Sequence, residues 1–259
     1  MKKLAIIAAC AVLASCEKVI DVDLNSGDPQ TVVEANLAAG ADSLEVRITQ
    51  TANYFGTADP ATINDAQVSL VSLGNRINAT PQGNGIYRIS NINATADVEY
   101  TLEVSVDGAL TTATSYMPPA VVIDSVYFQY EEDGFFEPGF RPYLAFQDPP
   151  ETENFYRILI LINGEYDGEI RLGNDKFSNG EYQEIRFPFL ELESGDELRI
   201  ELRSIDEKVY TYYETLDPIS GGGGQPGIAP GNPVTNLEGP IQLGYFGTYS
   251  SDEGSAVKP

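Results

Sequence analysis

The stretch Asp97–Val106, DVEYTLEVSV, decides the fold class. Val98, Tyr100, Leu102, Val104 and Val106 fall on one side of an extended chain. Asp97, Glu99, Thr101, Glu103 and Ser105 fall on the other. A period of two with one apolar face is the signature of a half-buried strand. Asp107-Gly108 follows, and a second strand pattern then runs from Ala109 to Tyr116. Asp-Gly between two such runs predicts a type I′ hairpin, because both turn residues must take positive φ. Upstream, Leu44, Val46 and Ile48 alternate in SLEVRIT, and Val68 and Leu70 continue the pattern. Thr31–Leu37 and Gly85–Ser90 bring the count to about seven short strands, separated by Asn, Gly, Asp and Pro. This spacing predicts an immunoglobulin-like or transthyretin-like β-sandwich over residues 30–117.

Met117-Pro118-Pro119 marks a boundary, since two successive prolines cannot donate to a sheet ladder and stiffen the chain. A second β-rich unit is expected over residues 120–252. In Ile123–Tyr130, Val126, Phe128 and Tyr130 alternate inward. Arg141–Gln147 and Tyr182–Phe187 read as strands. Asn154–Asn163 (NFYRILILIN) is apolar enough near its end to predict a strand buried on both faces. Asp196–Arg203 points Leu198, Ile200 and Leu202 into the core and alternates its charges outward. One helix is predicted, capped by Ser204 or Asp206, with Val209, Tyr212, Tyr213 and Leu216 on one face and Asp217-Pro218 as its stop. Residues 220–233 form a Gly/Pro-rich loop. Ile241–Tyr249 reads as a last strand returning to the second sheet. The expected class is mainly all-β: two β-sandwich units, the second with one short helix.

The beginning of the chain carries an address. Lys2 and Lys3 precede an apolar run of 11 residues, Leu4–Ala14. A membrane-spanning helix needs about 20 residues, whereas a signal-peptide core has this size. Leu13-Ala14-Ser15-Cys16 resembles the bacterial lipobox, which predicts a signal peptide over 1–15 and lipid attachment at Cys16. Cys10 lies in the discarded segment, so the mature chain is left with no thiol for a disulfide. Residues 16–29 read as an acidic tether. Asp21, Asp23, Asn25 and Asp28 do not make a calcium loop. Counted from Asp21, Gly27 sits at the seventh position instead of the sixth, and Val32 takes the place of the twelfth-position glutamate.

Composition narrows the chemistry. Of 259 residues, 39 are Asp or Glu and 15 are Lys or Arg, for a formal charge of −24. A body this acidic repels nucleic acid and anionic lipid, so membrane attachment rests on the lipid. There is no histidine, which removes Ser-His and Cys-His catalysis and the usual zinc sites. The carboxylate groups at Glu131-Glu132-Asp133, Glu191 with Glu193, and Asp206-Glu207 are common in so acidic a chain and do not define a glycosidase. The four glycines 221–224 lack the lysine of a phosphate loop. No cofactor is expected. Calcium is the one metal held open, with Asp148-Pro-Pro-Glu151-Thr-Glu153 as the candidate acidic loop.

Two loops carry aromatics among polar residues. One is Glu131–Phe140 (EEDGFFEPGF), with Phe135, Phe136 and Phe140. The other is NYFGTADP, with Tyr54 and Phe55. Such residues either fold back onto the core or meet a partner, and these five are the partner-binding candidates. Tyr245, Phe246 and Tyr249 are expected to pack in the sheet. Asp42-Ser43-Leu44 and Asp124-Ser125-Val126 are similar to O-glycosylation sites of Bacteroidota.

Several motifs occur together and in order: CEKVIDVDL after the lipobox, MPP before IDSVYF, RSIDEKVYTYYETL, the glycine loop and NLEGPIQLGYFGTYS. The combination resembles a lipoprotein family of Bacteroidota known as domain of unknown function 4249, over residues 16 to about 252. That resemblance implies an outer-membrane lipoprotein, often encoded beside TonB-dependent receptors, with no established catalytic residues. The expected function is therefore a non-enzymatic accessory or substrate-capturing partner of an outer-membrane transporter or other envelope protein. A structural or adhesive surface module is the alternative, and a carboxylate- or calcium-dependent enzyme the remote one. Glu17 followed by Lys18, Val19 and Ile20 leaves both the periplasmic and the surface leaflet open.

Overall fold

A computed structural model describes residues 28–52, 59–132, 137–220 and 231–259. The Asp97–Val106 pattern becomes β7 (Val98–Val106), with Tyr100, Leu102 and Val104 buried. Asp107 and Gly108 take φ of 51° and 80°, and the chain returns as β8 (Ala109–Met117) in continuous antiparallel register. β3 (Gln67–Ser72) pairs with β7 and carries β4 (Asn75–Asn78) on its far side, and the two-residue β16 (Leu237–Glu238) pairs with β8, which completes a five-stranded sheet. Against it lie β1 (Thr31–Ala38), β2 (Ser43–Gln50), β5 (Thr80–Gly83) and β6 (Ile86–Ser90). Val33, Leu37, Leu44, Val46, Ile48 and Ile89 of this layer pack on Val68, Leu70, Tyr100, Leu102 and Val104 of the other, and close the first sandwich core. Pro81 sits in β5, an edge strand, where a missing donor is tolerated.

The second core has the same two-layer logic. β9 (Ile123–Glu131), β10 (Gly139–Gln147) and β14 (Tyr182–Arg186) form a three-stranded sheet in the order β14-β10-β9. Leu144 and Phe146 from that sheet meet Tyr156, Ile158 and Ile160 of β11 (Phe155–Ile162) and Leu198, Ile200 and Leu202 of β15 (Glu197–Ile205). β11 also pairs with the short β12 (Glu165–Tyr166) and β13 (Arg171–Asn174).

β17 (Leu243–Val257) joins the two layers into one sheet, and here the sequence reading needs correcting. The segment expected to return to the second sheet pairs first with β1, in parallel, from Val32↔Leu243 to Ala38↔Tyr249. Only from Tyr249 onward does it pair with β15, antiparallel, to Glu197↔Val257. The result is a nine-stranded sheet that spans both cores. Two glycines permit this. Gly244 has φ of 94°, and a Cβ there would lie 1.9 Å from the carbonyl oxygen of Val33. At Gly254 a Cβ would reach 2.7 Å from Val126, so β9 can cross β17 closely.

α1 (Glu207–Ser220) covers the other face of the large sheet. Asp206, not Ser204, is its cap: Asp206 Oδ1 accepts from the Val209 amide at 2.8 Å. Val209, Tyr212, Tyr213 and Tyr245 form a buried cluster beneath it, as the helical spacing predicts. The helix does not stop at Asp217. Pro218 lies in the last turn, where its missing N–H frees only the carbonyl of exposed Glu214, which water can satisfy.

Two further expectations change. β11 alternates instead of being buried throughout, with Tyr156, Ile158 and Ile160 inward and the opposite face half-covered. Tyr130 is 51% exposed, because the end of β9 runs past the sheet that would cover it.

Candidate functional site

The three-stranded sheet has an outer face built from every second residue. Register places Tyr127 opposite Tyr143, and Tyr143 opposite Arg186. Glu131 on β9 and Tyr182 and Glu184 on β14 lie on the same face by alternation. Tyr127 and Tyr143 stack with ring centroids 5.3 Å apart and planes 9° from parallel. Tyr182 is 52% exposed. The polar ends are paired in turn. Tyr127 donates to Glu184 at 2.6 Å and Tyr143 donates to Glu131 at 2.7 Å. Glu131 also pairs with Arg186. The stacked tyrosines are therefore held at both ends by charged neighbours, which reduces the rotamer freedom a partner would have to quench.

Electrostatics fix the protonation of this face. The hydrogen bond to Glu184 pushes the Tyr127 phenol up to about 12. The Tyr143 phenol is raised as well, chiefly by its bond to Glu131. Glu131 is held below the usual carboxylate range, first by the Tyr143 hydroxyl and then by Arg186. At neutral pH the face thus offers neutral phenols, an ionised carboxylate and a guanidinium. Phenols held neutral are poor bases but good amphipathic contacts.

Arg186 connects this face to a cleft of about 540 Å³. Asp167, Arg171, Phe187, Phe189 and Leu190 are among its walls. Arg171 is anchored there by Asp167 and Glu169, each at 2.7 Å. The cleft combines an apolar side, on which Phe189 is 81% exposed, with a fixed guanidinium.

Of the partner-binding residues chosen from sequence, Phe140 lies at the start of β10, half-buried, with its ring edge-on to Tyr130 at 5.2 Å. By alternation it lies with Tyr130 on the side of the sheet that carries Leu144, opposite the stacked tyrosines. Tyr54, Phe55, Phe135 and Phe136 lie outside the described residues, as does Cys16. The residues missed were Tyr127, Tyr143 and Tyr182. Their signal was present, since Tyr127 alternates against Val126 and Phe128, but strand periodicity alone does not say which face will be solvated. Tyr245 and Phe246 are buried, on opposite faces of β17, and Tyr249 is half-buried.

No group of three or more Asp, Glu, Cys or His side chains placed to hold a metal occurs among the described residues. No described helix is long and apolar enough to cross a membrane.

The sequence model of a domain of unknown function, DUF4249, matches residues 17–255. The chain belongs to the DUF4249 family. No curated protein matches this DUF4249 sequence. Among solved structures, "Crystal structure of chicken CNTN1 FN1-FN3 domains" is similar at 16% identity and a TM-score of 0.28, covering 69% of the DUF4249 chain. The DUF4249 chain spans 60% of the length of that structure. So distant a likeness carries no functional argument, and the all-β fold rests on the sheets themselves.

Proposed function

We propose that this DUF4249 protein is a non-enzymatic binding lipoprotein, anchored to the outer membrane by lipid on Cys16. Its tyrosine face engages an outer-membrane transporter of the TonB-dependent type. The observation that carries this reading is the stacked Tyr127–Tyr143 pair, bordered by Tyr182, Glu131, Glu184 and Arg186 on a solvent-facing sheet. Tyrosine and arginine are enriched where proteins meet, because each brings a large contact area with a polar tip. The Arg186 cleft opens beside that face, of a size for a small solute held during transfer. The strongly acidic body is repelled by anionic head groups, which favours a protein partner over a lipid one.

The test is capture from detergent-solubilised outer membranes. The wild-type chain should enrich a β-barrel transporter, and Tyr127→Ala/Tyr143→Ala/Tyr182→Ala should lose that enrichment while keeping its circular dichroism. Capture of no transporter, or equal capture by the triple variant, would overturn the assignment. Cys16→Ala tests the anchor separately: the variant should move from the membrane to the soluble fraction.

A further inference from the structure

Two buried carboxylates at the ends of β10 and β13 have no cation partner among the described residues. Asp148 follows β10 and is 0% exposed; Asp175 follows β13 and is 2% exposed. Neither takes part in any ion pair among the described residues. Asp148 Oδ1 accepts from the Tyr156 hydroxyl at 2.5 Å, and Oδ2 accepts from the Gly180 amide at 2.8 Å. Asp175 Oδ1 has no hydrogen-bond partner among the described residues. Burying two like charges side by side costs several kcal/mol per charge unless something neutralises them.

The surroundings are rich in oxygen. The inward end of the Asn154 amide lies 2.9 Å from Thr152 O, 3.0 Å from Pro149 O and 3.3 Å from Asp175 Oδ2. All three neighbours are acceptors, and the amide as oriented points its oxygen at them. Oxygens crowd in this way around a hard cation. Calcium ligands sit about 2.4 Å from the ion, and at angles of about 75–90° that places neighbouring oxygens about 2.9–3.4 Å apart. The three separations fall in this range, and equally suit N–H···O bonds from a turned Asn154 amide, so the buried, unpartnered Asp175 Oδ1 is what favours a cation. The loop is also rigid: Gly180 packs so closely on Pro150 that a Cβ would lie 2.7 Å away, and Gln147 bonds the Gly180 carbonyl at 3.0 Å.

We propose that Asp148, Asn154 and Asp175, together with the carbonyl oxygens of Pro149 and Thr152, form a calcium site. The two carboxylates match the charge of one divalent ion. The acidic loop suggested by sequence supplies Asp148 and its backbone carbonyls, but exposed Glu151 and Glu153 point away from this role. Their places are taken by Asn154 and by Asp175 from a different loop. The site adjoins the Tyr182 end of the tyrosine face, where Gln147 pairs with Tyr182, and calcium binding is read separately from transporter capture.

The test uses the mature chain, freed of metal by chelator. Calcium should bind with a measurable heat. At about a hundredfold excess over Kd it should raise the melting temperature by about 5–10 °C. Asp175→Asn should abolish both responses, yet melt no lower than wild type in chelator, since it removes the like-charge contact. Asn154→Asp should melt lower in chelator and recover with calcium. Glu151→Gln should respond as wild type. The competing arrangement has the Asn154 amide turned so that its nitrogen donates to the three oxygens, with a proton shared by the carboxylates. It predicts no response to millimolar calcium, and no rescue of Asn154→Asp. Either result overturns the proposal, and an equal response to magnesium overturns its assignment to calcium.

Discussion

Asp206→Ala should loosen the attachment of α1 to the first sandwich. Asp206 makes three contacts at once. Oδ1 accepts from the Val209 amide at 2.8 Å, and Oδ2 accepts from the Ser115 hydroxyl at 2.5 Å and the Tyr116 amide at 2.9 Å. One carboxylate therefore caps the helix and pins β8, a strand of the first core. Loss of an N-cap costs about 1 kcal/mol. Loss of the charge-assisted bond from Ser115 costs about 1.5–3 kcal/mol. The Tyr116 amide is exposed and water replaces its partner. Ser115 keeps its bond to Thr248 at 3.0 Å, which limits the damage. Burial raises the Asp206 pKa against its own hydrogen bonds, so removing the carboxylate returns part of its desolvation cost. The net destabilisation is about 2 kcal/mol. Urea unfolding followed by tyrosine fluorescence should show a lower midpoint at an unchanged m-value. A double-mutant cycle with Ser115→Ala should give a coupling of about 1 kcal/mol. The sign with pH also follows. A carboxyl whose folded pKa is raised favours the fold most below its unfolded pKa of about 3.9, and that contribution fades as pH rises through the folded value. Asp206→Asn should flatten this slope. An alanine variant within about 0.5 kcal/mol of wild type, with no coupling to Ser115, would refute the bridging role.

Gly244→Ala should cost more than about 3 kcal/mol, because it places a methyl against the Val33 carbonyl at a φ that disfavours any Cβ; denaturant midpoints check this, and a near-neutral variant would show that β1–β17 pairing adapts. The Tyr127 phenol should ionise only near pH 12, and Glu184→Gln should bring it back toward 10, read from ultraviolet absorbance during an alkaline titration. Glu131 has a lowered pKa, so its contribution is present above the unfolded value of about 4.3 and disappears as pH falls through the folded one; Glu131→Gln should remove that acid-side dependence, seen in melting curves across pH 3–6.

Much of the secondary structure was legible because the signal is local. Asp97–Val106 alternates strictly, Asp107-Gly108 supplies the two positive φ values, and Val209, Tyr212 and Tyr213 share one helical face; each needs only neighbours in sequence. Shorter elements escaped. β4, β5, β12 and β13 are too brief to show a period, and Leu73 holds a positive φ in the turn before β4 that no apolar residue advertises. The candidate site was barely legible. Tyr127 and Tyr143 looked like ordinary strand residues until cross-strand register stacked them, and Phe140, marked by its polar surroundings, lies on the opposite face of that sheet.

The mainly-β class, the hairpin, the helix with its buried stripe and the acidic charge follow from the order of residues alone. That Leu243–Val257 serves both cores, that Asp206 joins a helix to a distant strand, and that Asp148 approaches Asp175 emerge only in the folded chain. One cause underlies all three. Side-chain periodicity records which face of a segment is apolar, and backbone geometry restricts each residue alone. Neither records which distant strand will supply the complementary ladder of donors and acceptors, and that choice is made only when the whole sheet closes around its core.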